Sequence, residues 1–206
     1  MGWIEILQIF LTSITSVVVA LIGAGYFKRY NDTKKESYSK SKLMEQIRKD
    51  EIVHLAIRDL RRKYNSDRIY IWQFHNGGNF YTSYPMQKTS ITYERCSDGL
   101  ERKSEKYQNI LISNFTSYIR KVIDGGMFYF DMDTMDDILI RSICQQYGTQ
   151  SHVAAPIYDE KQNLVGILSL DWVFSDIPEG FIGDNDFNEL IKEDLKKEAN
   201  QLKGYI

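Results

Sequence analysis

The sequence is short of the residues that most often carry covalent or metal chemistry, with two cysteines and three histidines in 206 positions. Cys96 and Cys144 form neither a CxxC pair nor a metal-ligand spacing, which suits a reducing compartment better than a disulfide framework. His54, His75 and His152 complete no zinc set, and no Ser-His-Asp or Cys-His arrangement can be assembled around them. A large excess of charge of either sign is also missing, with 26 Lys and Arg against 28 Asp and Glu. The net value of −2 gives no electrostatic case for nucleic acid as a partner. There is no internal repeat and no low-complexity stretch. Nothing points to catalysis, so the chain reads as non-enzymatic, and no cofactor can be named from its residues.

Charge is wholly absent from one long segment. Residues 6–27 read ILQIFLTSITSVVVALIGAGYF, enough helix to span a hydrocarbon core of about 30 Å. Trp3 and Tyr26 stand at its two ends, where amphipathic rings favour the membrane interface. A cleaved signal peptide would want basic residues before the apolar run, yet Glu5 is the one charge there. The Met-Gly start lacks the Ser or Thr that myristoylation wants, having Ile6 instead. After the span come Lys28, Arg29, Lys34, Lys35, Lys40 and Lys42, so the positive-inside rule keeps the following domain cytoplasmic. The expected organisation is a transmembrane anchor over 1–27, a basic polar linker over 28–42 and one domain over 43–206.

With 13% aromatic residues, that domain has material for a sizeable core. Leu43, Ile47, Val53, Ile57, Leu60 and Tyr64 recur at helical spacing, with Ile52 and Ala56 widening the stripe. In RIYIWQFH, from Arg68 to His75, both alternating sets are apolar, as in a central strand covered on both faces. His75-Asn76-Gly77-Gly78 is a turn signal. A half-exposed strand follows over 89–95, an amphipathic helix over 111–123 ending at Gly125-Gly126, and a short strand over 127–131. Asp133 is placed to cap a helix bearing Ile140, Ile143 and Tyr147, which Gly148 closes. Strands over 151–158 and 164–173 joined by a short polar turn predict an antiparallel hairpin. A last helix runs from about residue 186 to residue 202, with Phe187, Leu190, Ile191, Leu195, Ala199 and Leu202 at helical spacing. The acidic groups Asp131–Asp137 and Asp184–Asp186 read as helix caps rather than metal sites. This order predicts an α+β fold, an antiparallel sheet flanked by helices.

The stretch from Leu43 to Leu202 resembles a GAF domain, the sensor module related to PAS domains. The closing hairpin carries the resemblance: a small-residue strand, His152–Ile157, a polar turn, then VGILSLDW with Gly166 opening the strand and Asp171 ending it. The resemblance implies that the first and last helices pack on the back of the sheet, and that a ligand pocket lies between its front and the crossing helices and loops. Carried over by position, it places Trp72, Phe74, His75, Asn76, Phe80, Tyr81, Tyr93, Asp131, Asp133, His152 and Asp171 near that pocket. An aromatic concavity with a few polar groups is what a small ligand needs. A core filled by its own aromatics is the competing reading. The cyclic-nucleotide motif of such domains is absent, and no Cys-His pair stands where bilins attach, so no ligand is named.

These readings predict a membrane-anchored regulatory module that binds a small molecule, a protein partner or a second copy of itself. The alternative is a non-enzymatic membrane scaffold or lysis-related protein, of phage origin, with no ligand.

Overall fold

A computed structural model describes Gly2 and residues 40–79, 85–132, 135–175, 177, 178, 181 and 188–206. The expected span and most of the linker lie outside these residues. Among the described residues no helix is long and apolar enough to cross a membrane. The chain divides into two compact units, 1–48 and 49–206.

Helix α1 covers 40–63. Strands β1 (Arg68–Asn79) and β2 (Pro85–Cys96) follow, then β3 (Ile110–Leu111), a 3-10 turn over Ile112–Phe115, and α2 (Thr116–Gly125). The chain continues through β4 (Phe128–Asp131), α3 (Ile138–Gln146), β5 (Ser151–Tyr158), β6 (Leu164–Trp172) and α4 (Glu189–Leu202). The six strands make one sheet in the order β3-β2-β1-β6-β5-β4, and every recorded pairing is antiparallel. The expected α+β architecture is therefore present.

The two faces of β1 explain its doubly apolar sequence. Ile69 and Ile71 point to the back, where they join Val53, Ile57, Leu60, Leu195, Ala199 and Leu202. Tyr70 and Trp72 point to the front, with Phe115, Tyr118, Ile119, Val122, Ile140 and Ile143. Helices α1 and α4 thus share the back core, as the resemblance implied. Tyr64 donates to Asp194 at 2.7 Å, and Lys63 pairs with Asp194 at 2.7 Å and Glu198 at 2.9 Å. The front is covered by α2 and α3. Gly166 lets β6 approach β1, because a Cβ there would lie 2.6 Å from the carbonyl oxygen of Trp72.

Several local expectations are corrected. HNGG is not the reversal: β1 runs on to Asn79, which pairs with Pro85, and the register shifts between Asn76 and Asn79. Asp137, rather than Asp133, caps α3 by accepting the N–H of Ile140 at 3.2 Å. Asp133 itself lies outside the described residues, as do Phe80, Tyr81 and Asp184–Asp186. Asn188 caps α4. On α1, Leu43 and Ile47 are exposed and Ile52 keeps 37% of its surface accessible; on α4, Leu190 is exposed. Their helical spacing was right, but the packed stripe is narrower than the apolar one.

Candidate functional site

The register of the sheet aligns one rung across its front. Arg68 pairs with Cys96 on one side and Asp171 on the other; Asp171 pairs with His152, and His152 with Phe130. Cross-strand partners share a face, so Cys96, Arg68, Asp171, His152 and Phe130 form a line over five strands. The adjoining rung holds Glu94, Tyr70, Ser169, Ala154 and Phe128. A carboxylate inside the apolar run ILSLDWV is tolerable only when paired, and this geometry supplies the partners.

Asp171 has no exposed surface. Its Oδ2 accepts from Arg68 Nη1 at 3.0 Å, Lys103 Nζ at 2.6 Å and Thr149 Oγ1 at 3.2 Å. Its Oδ1 meets His152 Nδ1 at 2.7 Å and Tyr70 OH at 3.3 Å. An ionised carboxylate only accepts, so His152 Nδ1 carries the proton, and Nε2 takes the hydroxyl of Tyr118 at 3.0 Å. The imidazole leans on Phe130, ring centroids 4.8 Å apart.

Lys103 comes from residues 97–109, between β2 and β3, and is fully buried. Glu94 holds that segment down by accepting the N–H groups of Lys103 and Ser104, both at 2.9 Å. Arg68 Nη2 donates to the carbonyl of Glu101 at 3.1 Å. Arg68 Nε and Glu94 are 3.4 Å apart, an ionic contact in which Nε finds no hydrogen-bond acceptor. Tyr147 lies under both cations, its ring centroid 5.3 Å from Arg68 Cζ and 5.6 Å from Lys103 Nζ.

Two cations, Arg68 and Lys103, therefore face two anions, Glu94 and Asp171, and the set is neutral only if His152 is neutral. Burial lowers the His152 pKa and Lys103 adds to that, against the pull of Asp171. Burial alone would raise the Asp171 pKa, but Lys103, His152 and Arg68 reverse this and hold it well below the usual carboxylate range. Burial pushes the Cys144 thiol up to about 12 and that of Cys96 up to about 11, so neither is a ready nucleophile. The arrangement is fitted to hold charge in place. Among the described residues no group of His, Cys, Asp and Glu is set to hold a metal.

The structure brings Trp72, His152 and Asp171 to the front face, with Phe74 packed beside them. His75 sits at the far end of β1, 2.9 Å from Ser90 Oγ. Asn76 is exposed and accepts the N–H of Gly78 at 2.9 Å. Tyr93 is on the other face: it packs in the back core and donates to Asp50. A register shift between Ile71 and Trp72, opposite Thr92, produces this switch, because it changes the phase of β2. The backbone of Asp131 pairs with Ser151. Arg68, Glu94, Lys103, Thr149, Tyr70 and Tyr118 were not anticipated. A lone arginine opening an apolar strand, and an aspartate closing another, were the available signals.

No family model matches the sequence, and no curated protein matches it significantly. Solved structures do. The GAF domain region of a protein from Geobacter sulfurreducens PCA superposes with a TM-score of 0.54 at 17% identity, covering 80% of this chain and 97% of that one. A far-red cyanobacteriochrome photoreceptor gives 0.56 at 17% identity, over 82% and 93%. The phycocyanobilin-bound GAF domain of a cyanobacterial phytochrome gives 0.55 at 15% identity, over 81% and 90%. The fold of this chain is that of GAF domains.

Proposed function

We propose that the chain is a non-catalytic regulatory module whose GAF-like domain binds a small molecule or a protein partner at its front face, tethered to a membrane through residues 6–27. The observation that carries this reading is the buried polar set around Asp171, on the front face of a fold whose solved neighbours include a bilin-bound domain. A core with no task beyond packing is served as well or better by apolar side chains. A bilin is not proposed, since neither cysteine begins a Cys-His pair: Cys96 is followed by Ser97 and Cys144 by Gln145.

A scaffold that takes no ligand is the second reading. It is favoured by Trp72, Phe115, Tyr118 and Phe130, which fill the front core with the chain's own rings. Native against denaturing mass spectrometry on the full chain in detergent separates the two. A discrete mass lost on denaturation supports the sensor; a bare protein, monomeric or dimeric, supports the scaffold. Fractionation of the full chain beside a variant lacking residues 1–39 tests the tether, and a full chain that stays soluble refutes it.

A further inference from the structure

Lys103 differs from the other members of the buried set. Arg68, Asp171, His152 and Glu94 all stand on strands, whereas Lys103 is brought in by a connection. The ends of that connection are tied by backbone contacts. Ser97 donates to the carbonyl of Asp67 at 2.7 Å, Tyr107 accepts from Ile91 at 3.0 Å, and Asn109 donates to Ser90 Oγ at 2.8 Å. Between them, residues 101–106 are held to the front face by Arg68 and Glu94 and by the Lys103 ammonium itself.

The surroundings of that ammonium have the composition of a receptor for one. Its three N–H donors face a carboxylate oxygen of Asp171 at 2.6 Å, Thr149 Oγ1 at 3.4 Å and Tyr70 OH at 3.4 Å. The rings of Tyr70 and Tyr147 stand 4.9 and 5.6 Å away, within the range of cation–π attraction. A compact ammonium on an aliphatic stem fits this arrangement, and a planar guanidinium already occupies the neighbouring place as Arg68.

We propose that Asp171, Thr149, Tyr70 and Tyr147 form a binding site for a primary aliphatic ammonium, which Lys103 occupies in cis, so that an amine-bearing ligand enters by lifting residues 101–106. This deepens the sensor reading and rests on it: the ligand class is an alkylamine or a longer molecule ending in one, and displacement of the connection is the signal. No covalent step is involved.

The test uses the full chain carrying Lys103→Ala, with n-butylammonium as the probe and n-butanol as its uncharged counterpart. Thermal unfolding is followed by Trp fluorescence. The account expects a lowered midpoint that n-butylammonium restores saturably and n-butanol does not, with no restoration in Lys103→Ala/Asp171→Asn. Wild type should respond weakly, because its own lysine competes at high effective concentration. Equal responses to the two probes would overturn the proposal. If Lys103→Ala does not fold, Lys103→Met keeps the aliphatic stem, and methylammonium against methanol gives the same comparison. Restoration without any natural ligand by mass spectrometry leaves this site standing and removes the sensor reading. A natural ligand without an amine does the reverse.

Discussion

Replacing Asp171 by Asn keeps the shape of the side chain and removes its charge. Arg68 and Lys103 then face Glu94 alone, leaving one uncompensated cation among side chains with no exposed surface. Removing one partner of a buried ion pair typically costs about 3–5 kcal/mol, and Asp171 serves five donors rather than one. Against a usual total of roughly 5–15 kcal/mol for a domain, this single change should unfold much of the population near 37 °C. Lys103→Met leaves the opposite imbalance and should also destabilise. Combined, the two changes restore neutrality, with Arg68 paired to Glu94. The double variant should therefore be more stable than the sum of the single losses predicts, by about 1–3 kcal/mol. Urea midpoints and slopes, followed by Trp fluorescence on the purified chain, measure all four corners. A loss below about 1 kcal/mol for Asp171→Asn, or strict additivity, would refute the reasoning.

Acid should weaken the domain through His152. Its pKa is lowered on folding from the ordinary 6.5, so below that value the unfolded chain takes up a proton that the folded one resists. Stability then falls with pH, by at most about 1.4 kcal/mol per pH unit from this group; His152→Gln should flatten the fall between pH 6.5 and 5 in thermal melts, and an unchanged slope would remove His152 as the cause. Gly166→Ala should cost about 1–3 kcal/mol, since the added methyl meets the backbone of Trp72 at 2.6 Å; an unchanged melting midpoint would show that β6 shifts freely. Asp67 accepts the N–H groups of Val173, Phe174 and Ser175 at 2.8, 2.8 and 2.9 Å. Asp67→Ala should speed amide exchange at these three positions above all others, and uniform exchange would argue against the local tie.

Much of the fold was legible because its signals are local. The period of α1, the two apolar faces of β1 and the small-residue hairpin of β5 and β6 each follow from steric and burial rules acting over a few residues. Gly126 and Gly148, both with positive φ, stop α2 and α3 where the sequence places them. What the sequence hid is set by register. One irregularity opposite Thr92 decides that Ile91 faces the front and Tyr93 the back, and no pattern within β2 announces it. The two-residue β3 escaped for the same reason, being defined by its pairing with Lys88 and Thr89. His152 and Asp171 were singled out only through the resemblance that the closing hairpin carries. Lys103 reads as an ordinary surface lysine until Glu94 and Arg68, nine and thirty-five positions earlier, fold its segment inward.

The most direct measurement of the central claim is the NMR signal of the Lys103 ammonium. On the purified chain labelled with 15N at lysine side chains, exposed ammonium groups lose their protons to water too quickly to be seen near neutral pH and room temperature. An ammonium enclosed by Asp171, Thr149 and two tyrosine rings exchanges slowly. The account predicts a protected ammonium resonance that vanishes in Lys103→Met and weakens in Asp171→Asn. A spectrum with no resonance traceable to Lys103 would contradict it, placing that lysine in water and the front face open.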